Sequence, residues 1–171
     1  RGPLKYHTIR QFIKDVEWGT LDYLIVDLPP GTGDEPLTVA QSIPAPDGAV
    51  VVTTPQQVAI TDVRKCISFC RKLQLPVLGV VENMSAFACP HCGGKVVLFA
   101  PGGGARMAKD MNVAFLGSVP IDPTIGVCSD AGLPFMDGNA GSPAAKAFAE
   151  IVATLRQDCE ADASCLPGAA D

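Results

Sequence analysis

An α/β fold with a parallel sheet between layers of helices is what this sequence predicts. Three observations predict it. Short apolar runs end at turn residues, helical periodicities lie between those runs, and 171 residues suffice for one core. The composition is globular, with 47% hydrophobic and 18% charged residues.

Ile9, Phe12, Ile13 and Val16 recur at helical spacing, so the first segment reads as an amphipathic helix that stops at Trp18-Gly19-Thr20. Tyr23 to Val26 reads as a buried parallel strand, broken by Pro29-Pro30-Gly31-Thr32-Gly33. Glu35 to Ile43 is a short helix, and Gly48 to Thr53 repeats the buried-strand pattern. Val63, Cys66, Ile67 and Cys70 mark the core face of the next helix, with Arg71 and Lys72 in the last turn, where cations suit the dipole. Val77 to Val81 is a third strand, and Val96 to Phe99 a short extended piece. Gly104 to Met111 is a helix, Ala114 to Val119 a fourth strand, and Ala144 to Gln157 a last helix. Residues 1–157 form one domain, and 158–171 read as a flexible acidic tail. No internal repeat or second domain is evident.

Charge and termini narrow the class. A net charge of -5 with only 13 Lys+Arg lacks the footprint of a nucleic-acid binder. No apolar run is long enough to span a bilayer, and no signal-peptide pattern opens the chain, so the expectation is a cytoplasmic protein without membrane attachment. The chain begins at Arg1 rather than Met, and an N-terminal part is expected to be missing.

Ligands of parallel sheets gather at the carboxyl ends of the strands, so the loops after Asp27, Thr53, Glu82 and Val119 are expected to line a site. Asp27 closes an apolar run, where a carboxylate is costly unless it faces a ligand, and Mg²⁺ with its waters is the usual one in nucleotide sites. The nearby glycines can bring backbone N–H groups to a phosphate. Read alone, Asp-x-Pro is as well explained by a capped turn; the run from Asp27 to Asp34 is more specific.

Cys89-Pro90-His91-Cys92-Gly93-Gly94 is the second signal. Two thiolates two residues apart on a tight turn form a metal knuckle. No second pair completes a zinc ribbon, and a redox role would need the motif at a helix start. A tetrahedral zinc or a cubane cluster needs four ligands, so two chains related by a two-fold axis would supply two each. On these residues alone zinc is at least as good a candidate as iron, and a pair of idle thiols is the bland alternative.

The other cysteines carry weaker signals. Cys66 and Cys70 are core; Cys128 lies in a loop leading to Asp130 and has no assigned role; Cys159 and Cys165 lie in the tail. His7 reads as solvated, and His91 could serve as a spare ligand only if its ring turned back on a tight loop. Pro101-Gly102-Gly103-Gly104 lacks the Gly-Lys-Ser/Thr of a phosphate loop and reads as a flexible lead-in to a helix. Asn83-Met84-Ser85 fits the glycosylation sequon, which a cytoplasmic chain would not use.

The stretch LDYLIVDLPPGTGDEPLTVAQ, with Thr53-Thr54-Pro55-Gln56 and GVVENMS, resembles the Mrp/ApbC family of iron–sulfur cluster carriers, in the MinD-like group of P-loop ATPases. The similarity runs from Arg1-Gly2-Pro3 to about Arg156. It implies a P-loop NTPase fold, with ATP and Mg²⁺ as cofactors. Asp27 would act on Mg²⁺ through a water, the Gly31 amide would meet the γ-phosphate, and Asp34 belongs to the same catalytic switch. Asn83 and the Pro120–Asp122 segment would hold the adenine; for Asn83 a turn-forming role is an equal alternative. Cys89 and Cys92 would bridge a [4Fe–4S] cluster between the subunits of a homodimer, or of a heterodimer with a close paralogue, for transfer to apo iron–sulfur proteins. The phosphate-cradling run G-x-x-x-x-G-K-[ST] does not occur in this sequence, so ATP hydrolysis is expected of the parent protein. Two rival readings remain. A MinD/ParA-like positioning ATPase would carry a membrane-targeting C-terminal helix, which the acidic tail does not supply. A zinc-binding interaction domain would hold zinc alone.

Overall fold

The computed structural model describes residues 2–88 and 94–163. Among them the elements run α1 (Gly2–Lys14), α2 (Asp34–Ser42), β1 (Ala49–Thr53), α3 (Gln57–Lys72), β2 (Val77–Ala88), β3 (Lys95–Val96), α4 (Gly103–Asp110), β4 (Phe115–Ile121), α5 (Pro123–Asp130) and α6 (Pro143–Ala163). The architecture is the predicted one, a parallel sheet with flanking helices. β2 is central, with β1 and β4 parallel to it on either side. The end of β2 pairs antiparallel with β3, Phe87 opposite Val96 and Ala88 opposite Lys95.

Alternation along β2 explains the two cores. Val80 joins Val51, Ile60, Ile67, Met107 and Ala108 beneath α3 and α4. Its neighbour Val81 points the other way and packs with Val119, Ala144 and Ile151 beneath α6. A strand buried on both faces reads as an unbroken apolar run, which is why Val77 to Val81 is legible in the sequence. Each fully buried aliphatic side chain contributes about 1.5–3 kcal/mol.

α1 packs against α2, and Lys5 Nζ meets Glu35 Oε1 at 2.5 Å. That pairing raises the Lys5 pKa and lowers that of Glu35. Both ends are open to solvent, so the pair orients the helices more than it stabilises them. The buried hydroxyls of α2 are satisfied within the helix: Thr38 Oγ1 donates to Asp34 O and Ser42 Oγ to Thr38 O, each at 2.6 Å.

Several expectations are corrected. Tyr23 to Val26 is not a buried strand: residues 21–30 are irregular and exposed, with Ile25 90% accessible. A parallel strand needs a hydrogen-bonded neighbour and cover on both faces, and among the described residues this segment has neither. Among the described residues β1 is covered on one face only. Val51 and Thr53 are buried while Val50 and Val52 are exposed. α5 has no counterpart among the expected elements, and Cys128 lies in it rather than in a loop. α6 continues past Gln157 to Ala163; residues 164–171, with Cys165, lie outside the described residues. His7 is exposed as expected, its ring edge-on to Tyr6.

Candidate functional site

The strand register builds a polar row at the carboxyl edge of the sheet. Thr53 of β1 pairs with Glu82 of β2, and Glu82 with Ser118 of β4. Thr53 and Glu82 are 3% and 2% exposed. A buried carboxylate needs donors. Glu82 Oε2 accepts the Gly104 N–H at 2.6 Å, and Ser118 Oγ lies 3.5 Å from Oε1. The Gly104 donor is one of the orphan amides of the first turn of α4, where a negative charge also suits the dipole.

This contact explains the glycine run that precedes α4. Gly103 and Gly104 are both buried, so the segment is a close-packed joint rather than a flexible lead-in. A Cβ on Gly104 would stand 3.0 Å from Glu82 Oε2 and 3.1 Å from Glu82 Cβ. One on Gly103 would stand 2.6 Å from Ile60 Cδ1 and 2.7 Å from Pro55 O. The loop after β1, the middle of β2 and the start of α4 therefore meet at van der Waals distance.

One residue along, Asn83 pairs with Val119, so β2 and β4 bring Asn83 beside the segment that continues into Pro120 and Asp122. Asn83 Oδ1 accepts the Met84 N–H at 2.9 Å, and Ser85 Oγ donates to Val119 O at 3.2 Å. Asp122 is the N-cap of α5: its Oδ1 accepts the Thr124 N–H at 2.9 Å, and Pro123 occupies the first helical position. That Asp-Pro pair is a helix-start signal that apolar periodicity does not register.

Asp27, Gly31 and Asp34 lie elsewhere. All three are exposed, Asp27 and Gly31 in the segment before α2 and Asp34 at the first residue of α2. Among the described residues no strand pairing or hydrogen bond joins them to the polar row. Gly31 has φ +100°, with open space where a Cβ would stand. A side chain is disfavoured there by backbone alone, and a backbone amide can be approached closely. Asp34 begins a helix whose first turn also holds Glu35, which suits the helix dipole.

Cys89 and Cys92 lie outside the described residues. Their flanks are described. β2 runs from the core through Asn83 to Ala88, and its antiparallel pairing with Lys95 and Val96 brings the two sides of residues 89–93 together. Among the described residues no group of three or more His, Cys, Asp or Glu side chains could hold a metal ion. Cys66 and Cys70 pack on α3 as expected, Cys70 buried and Cys66 half-buried. A hydrogen bond from the Cys70 thiol favours the Cys66 thiolate and lowers Cys66 from 9.0 to about 7. The same bond, with burial, pushes Cys70 up.

A groove of about 430 Å³ between α3 and α4 contains none of the sequence-predicted residues. Two of its cations are engaged. Arg64 meets Asp110 at 2.5 Å and Arg106 Nη1 donates to Pro101 O at 3.2 Å. No helix among the described residues is long and apolar enough to cross a membrane.

Known proteins share this sequence pattern and this geometry. The family model of the NUBPL iron-transfer P-loop NTPases, of the ParA group, matches residues 1–156. A nucleotide-binding protein from Archaeoglobus fulgidus, solved in complex with ADP and with cobalt found in it, is 45% identical with a TM-score of 0.67; the match covers 75% of this chain and 53% of that one. The cell-division ATPase MinD of Pyrococcus furiosus is 23% identical with a TM-score of 0.67, over 89% of this chain and 58% of its own. MinD of Aquifex aeolicus is 18% identical with a TM-score of 0.59, over 92% and 60%. The two MinD structures share the fold, and this chain spans little more than half the length of the solved structures it matches. From the sheet topology and the family match together, the chain belongs to the NUBPL iron-transfer P-loop NTPase family.

Proposed function

We propose that the whole protein is a cytoplasmic, ATP-dependent carrier that holds a [4Fe–4S] cluster between two subunits and hands it to apo iron–sulfur proteins. The observation that carries this reading is the continuity of β2. One strand passes from Asn83, beside the Pro120–Asp122 segment, to Ala88, immediately before the thiol pair. A ligand that moves the strand end moves the thiol segment with it.

The nucleotide half is supported by the ADP complex of the 45% identical relative and by the chemistry of the residues present. Asn83 offers a carboxamide suited to a purine edge, with Pro120 and Asp122 alongside. Asp27 is a solvent-facing carboxylate able to hold Mg²⁺ through water, and the Gly31 amide is open to a γ-phosphate. Asp34, close behind, completes the switch segment. Since this sequence contains no G-x-x-x-x-G-K-[ST] run, the phosphate cradle would come from the rest of the whole protein. Hydrolysis would then relax the Asp27–Asp34 segment as the γ-phosphate leaves.

The cluster is cargo. Cys89 and Cys92 of each subunit would supply two thiolates apiece, the number a shared cubane requires. The partner is a second copy or a close paralogue. The cobalt found in the relative supports a metal-binding role without fixing the metal.

The test is anaerobic purification of the whole protein, reconstitution with iron and sulfide, and metal analysis beside visible absorbance. Wild type should develop cluster absorbance with matched iron and acid-labile sulfide, and Cys89→Ser should develop none. Stoichiometric zinc with no iron would contradict the carrier reading and favour an interaction domain.

A further inference from the structure

Charge is unevenly distributed over the molecule. Six of the chain's 13 Lys+Arg lie on α3 and α4, namely Arg64, Lys65, Arg71, Lys72, Arg106 and Lys109. Only two of its 18 Asp+Glu, Asp62 and Asp110, lie there with them. A basic helix layer therefore stands on a chain whose formal net charge is -5. Arg64 is half-buried and the other five cations are exposed. Among the described residues Lys72 and Lys109 have no ion-pair or hydrogen-bond partner.

The groove between these helices is shaped to use that charge. α3 and α4 touch at Ile60 and Gly103, where an added Cβ would stand 2.6 Å from Ile60 Cδ1. They are bridged again where Arg64 Nη2 meets Asp110 Oδ2 at 2.5 Å. Residues of both contacts line a volume of about 430 Å³, within the range of ligand clefts. The core side chains Ile60 and Met107 close its depth, and Arg64, Arg106 and Lys109 stand around it. The pairing of Arg64 with Asp110 shows the anion that this cleft receives, a carboxylate, whose two oxygens fit the guanidinium fork. Arg106 donates through Nη1 to Pro101 O, and a guanidinium has five donors in all.

We propose that the α3–α4 groove docks an acidic peptide segment of a partner protein. Carboxylates of that segment engage Arg106 and Lys109, and one competes with Asp110 for Arg64. This surface stands apart from the proposed nucleotide and cluster sites, and its failure leaves those readings untouched. Charge complementarity favours a peptide over other polyanions. A membrane or a nucleic acid presents a continuous row of phosphates to an extended basic surface. Here the cations converge on a cleft, Asp62 and Asp110 interrupt the basic layer, and the molecule behind it is net negative. Contacts of this kind set specificity and on-rate more than affinity, and salt screens them.

The test titrates the whole protein into a short dye-labelled peptide of Glu and Asp around one Leu, read by fluorescence anisotropy. Its Gln/Asn counterpart and phosphatidylserine vesicles are run beside it. The acidic peptide should bind, more weakly as salt is raised, and the amide counterpart should not. Arg106→Glu with Lys109→Glu should weaken binding by about ten-fold or more, since like charges then face each other across the contact. If that double variant does not fold, Arg106→Gln with Lys109→Gln takes its place with the same direction expected. Asp110→Asn removes the competing carboxylate and should tighten binding by about two- to five-fold, the range of an exposed ion pair. Lys146→Glu, on α6 across the sheet, should bind as wild type does. No binding of the acidic peptide, unchanged affinity in the double variant, or an equal loss in Lys146→Glu would overturn the proposal. Binding to vesicles alone would make the surface a membrane contact. Self-association lost in the double variant, without peptide binding, would make it a contact between copies. Each of these two outcomes would overturn the proposal as well.

Discussion

Glu82 Oε2 and the Gly104 N–H meet at 2.6 Å, joining the middle of the central strand to the first turn of α4 across 22 residues of sequence. The carboxylate is almost wholly buried, and the helix amide it takes has no other partner inside the helix. The polar row of Thr53, Glu82 and Ser118 is anchored here.

Removing the acceptor should therefore cost more than changing its charge. Glu82→Ala leaves the Gly104 amide buried and unpaired, and should lower stability by about 1–3 kcal/mol. Glu82→Gln keeps an oxygen for that amide and should lose less. Urea denaturation of both variants decides the matter; equal losses would contradict the assignment.

Close approach, rather than chain flexibility, should govern the glycines. Gly103→Ala drives a Cβ against Ile60 and the Pro55 carbonyl, and should cost about 1–3 kcal/mol. Gly126→Ala, inside α5 with no atom within 4 Å of the added carbon, should instead raise stability by about 0.4–1 kcal/mol. Thermal melts of the two variants should move in opposite directions.

Cys66 should react as a thiolate near neutral pH. Its pKa is lowered to about 7 by the hydrogen bond from Cys70, so alkylation by iodoacetamide should rise through pH about 7 and level off above it. Cys70→Ala removes the donor and should move that midpoint upward, toward 9.0. Peptide mass spectrometry across a pH series measures both. A wild-type midpoint near the ordinary thiol value would contradict the pairing.

Much of the sheet is legible in the sequence because burial on both faces writes an unbroken apolar run, as at Val77 to Val81. The same rule misleads at Tyr23 to Val26. Apolar composition states what a strand prefers, but burial needs a neighbour, and none of the described residues pairs with that segment. α5 escapes detection because it buries no residue, so it has no apolar periodicity; its Asp122-Pro123 start is the only mark. Of the site, strand order points only to the loops after Glu82 and Val119; Asn83 and Pro120–Asp122 themselves come from the family resemblance. Glu82 comes from neither, since a Glu after an apolar run reads as a boundary rather than as a buried acceptor with a donor to find. The left-handed backbone of Met84, φ +56°, leaves no trace in the sequence, because methionine carries no signal for it.

Loss of the α5 cap gives a local check on that start. Asp122→Ala removes the acceptor for the Thr124 N–H and should cost about 1 kcal/mol. Asp122→Asn, which keeps an acceptor oxygen, should recover most of it in the same melt. Equal loss in both variants would show that the cap is not what Asp122 provides.

The sharing of one metal centre by two subunits is tested most directly by native mass spectrometry of the reconstituted whole protein under anaerobic conditions. The account predicts a species of two chains with a single [4Fe–4S] cluster, reverting to chains without cluster in Cys92→Ser. A cluster carried by one chain alone, or one retained after Cys92 is replaced, would contradict it.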